Sequence, residues 1–201
     1  LRYAVKKYRE KGIFQMKVLI LSGTPKKEGL CCSCVEAAYT GAKKGGADCE
    51  IIRLCDYGLV RCAMCGDGWG ICRDEHICIF GVDGFTQIQQ KIAKADALIL
   101  DTPVYWGDMT EAMKAFFDRF RRCEARKGES GAMAGKSVLL IASPGGSGNG
   151  MISCLEQMER LCRHLSAKIY DFIGVNRWNS SYKIAAIEEA AASMVRGAKE
   201  A

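Results

Sequence analysis

The chain has 201 residues, of which 49% are hydrophobic and 26% charged, and a net charge of +6. That length suits one domain with a full core, and the composition is ordinary for a soluble globular protein. No apolar run approaches the length needed to cross a bilayer, and residues 1–15 hold no stretch long enough for a secretory signal, so a cytoplasmic protein without membrane contact is expected.

The basic excess is local. Arg2, Lys6, Lys7, Arg9 and Lys11 stand against Glu10 within the first twelve positions. Such a segment reads as a solvated basic extension over residues 1–15, with no nucleic-acid partner expected. Residues 16–201 read as a single domain.

Lys17 to Leu21 (KVLIL) is a short apolar run rich in branched residues, the pattern of a strand buried on both faces in a parallel sheet. Ser22-Gly23-Thr24-Pro25 stops it, and after Gly29 a helical pattern places Val35, Ala38, Tyr39 and Ala42 on one face. A strand, a loop and a helix start bring free backbone N–H groups and the positive end of a helix dipole together, which is an anion site. Ser22, Thr24 and Ser33 add hydroxyls, and Lys26 and Lys27 add charge. An ordinary strand-to-helix turn has the same outline. The chain contains neither G-x-x-x-x-G-K-[ST] nor G-x-G-x-x-G, which argues against a triphosphate P-loop and a Rossmann dinucleotide fingerprint. A single phosphate monoester such as that of FMN fits this loop better, in the flavodoxin-like manner.

Cys49 to Leu54 reads as the second strand. Residues 55–82 then carry Cys, Gly and Asp without periodicity, and a loop of that length inside a compact domain is usually functional. Phe85, Ile88 and Ile92 mark the second helix, and Ala97 to Leu100 opens a third strand running into Thr102-Pro103-Val104-Tyr105-Trp106-Gly107. Asp108 and Glu111 are spaced as a capping box for a third helix with Met113, Phe116, Phe117 and Phe120 inward. Ser137 to Ser143 is the fourth strand, followed by the glycine-rich loop 144–150. Ile152, Leu155, Met158, Leu161 and Leu165 then mark a helix, residues 168–175 a fifth strand, and Ile184, Ile187, Ala191, Met194 and Val195 the last helix. Five alternations of strand and helix predict an α/β fold, a parallel sheet covered by helices on both faces.

Three loops therefore fall at strand carboxyl ends: 22–33, 102–108 and 143–151. The first suits a phosphate. The second and third suit a flat ring, because Gly107, Gly145 and Gly146 let backbone approach closely and Tyr105 and Trp106 offer aromatic faces. Of twelve cysteines, Cys31, Cys32, Cys34, Cys49, Cys55, Cys123, Cys154 and Cys162 are scattered and read mostly as small buried hydrophobes. The other four form Cys62-x2-Cys65-x6-Cys72-x5-Cys78, where thiolates close in sequence can hold a [4Fe–4S] cluster or zinc, or where the loop holds no metal. His76, in the last gap, reads as a surface histidine.

Together these stretches resemble the NAD(P)H-dependent FMN reductase group of flavodoxin-like proteins, and within it the iron-sulfur flavoprotein branch. Gly23-Thr24-Pro25-Lys26-Lys27-Glu28-Gly29 is similar to that group's G-S-P-R-x-x-G loop. Thr102 to Gly107, with Lys114 and Asp118-Arg119, resembles its T-P-x-Y-x-G…K…D-R segment, and Gly145-Gly146 its third flavin loop. The resemblance spans roughly residues 16–175. It implies a three-layer sandwich with a five-stranded parallel sheet of order 2-1-3-4-5. It further implies FMN held by Ser22, Thr24, Lys26, Gly29, Cys31 and Ser33 at the phosphate, and by Pro103, Val104, Tyr105, Trp106, Gly107, Pro144, Gly145 and Gly146 at the ring.

Two departures stand out. Leu30-Cys31 replaces the group's Asn-Thr, putting a thiol, a poor donor, where a hydroxyl binds phosphate. The branch has two residues between its second and third cysteines where this chain has six, Gly66 to Ile71, although the last gap of five matches.

The expectation is an FMN-dependent oxidoreductase or electron-transfer flavoprotein. Cys62, Cys65, Cys72 and Cys78 would hold a [4Fe–4S] cluster as second redox centre, and NAD(P)H or another reductant would be the donor. No side chain is assigned as catalytic. Partners would be a small-molecule or protein electron donor and acceptor, and the resemblance implies a homodimer or homotetramer. The alternatives are a flavin or quinone reductase without a cluster, its cysteine loop structural or zinc-binding, and a redox-responsive binding protein.

Overall fold

The computed structural model describes residues 15–200, so the basic extension lies almost wholly outside the described residues. Five strands, β1 (Lys17–Ser22), β2 (Asp48–Arg53), β3 (Ala97–Val104), β4 (Ser137–Pro144) and β5 (Lys168–Gly174), form one sheet in the order β2-β1-β3-β4-β5. Every pairing is parallel, and Ser22 at the end of β1 lies in register with Arg53 of β2 and Asp101 of β3. The expected order 2-1-3-4-5 is the observed one.

Side chains of a strand alternate between faces, and the central strands are apolar on both. Val18, Ile20, Ile99 and Ile141 face one core, closed by α1 (Leu30–Lys44) and α5 (Ser180–Glu200). Leu19, Leu21, Leu98 and Leu140 face the other, under α2 (Phe85–Lys94), α3 (Glu111–Glu124) and α4 (Met151–His164). The second core is the more aromatic, with the Phe116 ring 5.3 Å from Phe85, 5.2 Å from Phe117 and 5.5 Å from Phe120. Among the described residues no helix is long and apolar enough to cross a membrane.

Two local expectations are corrected. Helix α3 starts at Glu111 with Thr110 at its N-cap, and no side chain caps it. Asp108 instead closes a turn with Tyr105, and its Oδ1 accepts from the amide of Met109 at 2.7 Å, so the capping box does not form. Ile152 is exposed rather than inward, because in the first turn of α4 it is Met151 and Cys154 that pack on the core. The remaining apolar positions of α1 to α3 named above are buried or partly buried, as their spacing predicts.

Candidate functional site

The first loop leaves β1 at Ser22 and enters α1 after Gly29. A helix leaves its first N–H groups without intrahelical partners, and no side chain caps those of α1. The loop's own hydroxyls shape it: the amide of Thr24 donates to Ser22 Oγ at 3.4 Å, and that of Lys26 to Thr24 Oγ1 at 3.3 Å. Arg53, at the end of β2, donates to the carbonyl of Lys26, and the Cys32 thiol bonds the same carbonyl at 3.3 Å. Arg53 thus brings a cation to the loop that sequence reading missed, since register alone placed it there. Lys26 and Gly29 are exposed, Ser33 is half-buried with its hydroxyl on the Gly29 carbonyl at 3.4 Å, and Thr24 and Cys31 are buried.

Beneath this loop lies a buried polar cluster. Ser22 Oγ donates to Asp101 Oδ2 at 3.2 Å, while Asp101 Oδ1 is buried without a partner. Burial, opposed only by the Ser22 hydrogen bond, pushes the Asp101 carboxyl up to about 8. Cys34 Sγ lies 3.6 Å from Ser143 Oγ, and burial, then the Asp101 charge, pushes the Cys34 thiol up to about 12. Cys31 is raised for the same two reasons and also bonds Ser143, so its thiol serves the end of β4 as a neutral group.

The three loops form one continuous rim. Thr110 Oγ1 donates to the Gly23 carbonyl at 2.9 Å and its amide donates to Thr102 Oγ1 at 3.1 Å, tying the first loop to the second. The second and third meet at Gly107 and Gly150: a Cβ on Gly150, whose φ is 78°, would lie 2.8 Å from the Gly107 Cα. Tyr105 and Asp108 exchange backbone hydrogen bonds of 2.9 and 3.0 Å around Trp106 and Gly107, which have φ of 53° and 79°. Positive φ at both central positions defines a type I′ turn, and holding a tryptophan there costs about 1–3 kcal/mol. Trp106 is fully exposed at its tip and Tyr105 is half-exposed; Pro103 and Val104 are half-buried behind them. Across the gap Pro144 is buried while Gly145 and Gly146 are open.

The cysteine segment begins beside the first loop, where the Cys55 thiol bonds the Gly23 carbonyl at 3.5 Å. It contains only single turns, among them a kinked one at Cys65–Gly68. Cys62, Cys65, Cys72 and Cys78, all half-buried, line one cavity walled by Ile77 and Phe80. Four thiols on one apolar-walled cavity match the number and softness of the donors that an iron-sulfur cluster or zinc takes. The sulfurs are not drawn onto a common centre: among the described residues no group of three or more His, Cys, Asp or Glu side chains is arranged to hold a metal ion.

Helix α3 and the turn that follows it hold this segment together. Arg119 reaches into it, Arg122 donates to the Gly68 carbonyl and stacks 4.8 Å from the Trp69 ring, and Arg126 pairs with Asp74 at 3.4 Å. His76 is half-buried and does not line the cavity; its Nδ1 bonds the Cys123 carbonyl at 2.9 Å. Cys123, read from the sequence as one of the scattered cysteines, is buried on α3 and lines the cavity as a fifth sulfur. Burial, then the neighbouring Cys78 and Cys72, pushes its thiol up to about 12, which makes it a neutral wall.

A doubly wound parallel sheet with its loops gathered at the strand carboxyl ends defines a flavodoxin-like protein. A flavodoxin from the domain Archaea shares the fold, with a TM-score of 0.60 at 13% identity over 92% of this chain and 100% of that one. The model of the NADPH-dependent FMN reductase family matches residues 16–175, and the chain belongs to that family. It is 32% identical over 139 residues to an iron-sulfur flavoprotein of Methanosarcina thermophila, covering 67% of this chain and 66% of that protein. It is 34% identical over 106 residues to an iron-sulfur flavoprotein of Methanocaldococcus jannaschii, covering 53% and 52%. The chain thus spans between half and two thirds of these relatives' lengths. Membership of the iron-sulfur flavoprotein branch, expected from the motifs, agrees with both.

Proposed function

We propose that this protein is an FMN-binding oxidoreductase or electron-transfer flavoprotein in which Cys62, Cys65, Cys72 and Cys78 hold a [4Fe–4S] cluster. The observation that carries the flavin half is the continuous rim of three loops, joined by Thr110 and by the Gly107–Gly150 contact. The cavity shared by the four cysteines carries the cluster half. FMN supplies two-electron and one-electron chemistry when bound, and the cluster one-electron chemistry; the protein's part is binding, orientation and electrostatics.

In this reading the open amides of α1, with Ser22, Thr24 and Ser33, bind the phosphate, and Lys26 and Arg53 balance its charge. Gly29 and Cys31 shape the helix entry, the latter as a neutral thiol. Pro103 to Gly107 and Pro144 to Gly146 grip the ring from two sides with backbone donors. Tyr105 and Trp106 shield its edge. The conformational cost at Trp106 and its complete exposure support a contact outside the chain, so a homo-oligomer covering that tip belongs to the proposal. A cytoplasmic location and a reductant such as NAD(P)H complete it. The six residues between Cys65 and Cys72 favour one second reading, a flavin or quinone reductase whose cysteine loop is structural or zinc-binding.

Thr24→Val combined with Ser33→Ala removes two hydroxyl donors from a doubly charged anion. Hydrogen bonds to charged groups contribute about 1.5–3 kcal/mol each, so FMN affinity should fall at least about tenfold in fluorescence titrations of the flavin-free protein. Unchanged affinity would move the phosphate out of this loop.

A further inference from the structure

Arg119 is an unusual residue for a helix packed on an aromatic core: its side chain is 1% exposed. Every one of its five N–H groups has an acceptor. Nη1 donates to Asp83 Oδ2 at 2.6 Å and to the Val60 carbonyl at 3.1 Å. Nη2 donates to the Phe80 carbonyl at 2.8 Å and to Asp83 Oδ1 at 3.2 Å. The fifth, Nε, donates to Cys78 Sγ at 3.3 Å. The guanidinium lies 4.3 Å over the Phe85 ring, and Asp83 is itself fixed by the amides of Val60 and Phe85 at 2.9 and 3.2 Å. Four of the bonds would suffice to anchor the loop. The fifth goes to a sulfur assigned to the cluster.

We infer that Arg119 is a positioning residue that both locks the cysteine loop and sets the reduction potential of whatever Cys78 ligates, through its Nε–H to the Cys78 sulfur. This rests on the iron-sulfur reading above. The Arg119–Asp83 pair is a largely buried dipole whose positive end lines the cavity, while Asp83 does not. Reducing a cluster adds negative charge there. A buried cation and an N–H···S bond both stabilise that charge, and hydrogen bonds to cluster sulfurs are among the levers that set cluster potentials. Arg122 also lines the cavity, but its guanidinium is committed to Trp69 and the Gly68 carbonyl. Of these two cations on the cavity, Arg119 is the one with a bond to a cysteine sulfur.

The test uses anaerobically purified wild-type, Arg119→Lys and Arg119→Met proteins, each assayed for iron and sulfide and then titrated redox-potentiometrically with the reduced cluster read by electron paramagnetic resonance. The one-electron equilibrium of Arg119→Met should move at least tenfold toward the oxidised form, a midpoint about 59 mV lower. Arg119→Lys, which keeps the charge but not the planar fork, should fall between the two. Should Arg119→Met lose its iron, the midpoint of Arg119→Lys decides. Iron-replete variants with the wild-type midpoint would overturn the inference. So would folded variants that both lack iron, since Arg119 would then be a strut alone. A wild-type protein without iron or sulfide contradicts the iron-sulfur reading itself, and is told apart from either result.

Discussion

Replacing Cys62, Cys65, Cys72 or Cys78 by Ser, one at a time, is expected to remove most of the iron and sulfide from anaerobically purified protein. The same change at Cys154 or Cys162 should leave both intact. The four lie on one cavity in a segment that contains only isolated turns, whereas Cys154 and Cys162 are fully buried in α4. A hydroxyl is a hard, weakly acidic ligand where a thiolate is soft, so one substitution suffices to weaken a four-cysteine site. Limited proteolysis should report the loss independently, with new cuts within 55–82, because that stretch contains only isolated turns. Iron that persists in all four variants would remove these residues from metal binding.

The second large effect concerns pH. Asp101 is buried, has one hydrogen-bond partner, and holds its proton up to about 8 against an ordinary value of 3.8. Between those values the folded state keeps a proton that the unfolded state releases. Stability therefore falls as pH rises through this window, by up to about 1.4 kcal/mol per pH unit, and the contribution is complete only below the unfolded value. Asp101→Asn is neutral throughout, can still accept from Ser22 Oγ, and introduces no charge beneath the first loop. Its urea midpoint should exceed that of wild type by an amount that grows steadily from pH 5 to pH 8. Parallel midpoint curves for the two proteins would show that Asp101 is ionised in the folded state or that its charge is compensated.

Most of the framework was legible because each level of the sequence agreed with the next. After the exposed Lys17, VLIL is apolar at every position because β1 lies mid-sheet between two helical layers, and Val35, Ala38 and Ala42 fall at helical spacing because α1 covers it. The rim loops were legible from their punctuation, Gly23-Thr24-Pro25, Trp106-Gly107 and Gly145-Gly146, each at a strand's end. The less visible parts depend on contacts distant in sequence. Arg53 serves the first loop only because β2 pairs with β1. Arg119 stands between the Phe116-Phe117 pair and Phe120 and reads as the polar side of an amphipathic helix, yet its partners are 36 to 59 residues away. Cys123 has no neighbouring cysteine in sequence and reads as one of the scattered ones. Its place on the cavity follows from how 55–82 folds back over α3, for which no periodic signal exists. The Asp108–Glu111 capping box failed for a local reason: Asp108 is used by the turn that presents Trp106.

In the proposed function one chain carries both a flavin and an iron-sulfur cluster. This is tested most directly by purifying the wild-type protein without oxygen, recording its visible spectrum, and assaying FMN, iron and acid-labile sulfide. About one FMN, four irons and four sulfides per chain are predicted, with Ser at Cys72 removing the iron and sulfide while leaving FMN bound. A preparation full in FMN that holds neither iron nor sulfide, or one that holds a single zinc in their place, would contradict it.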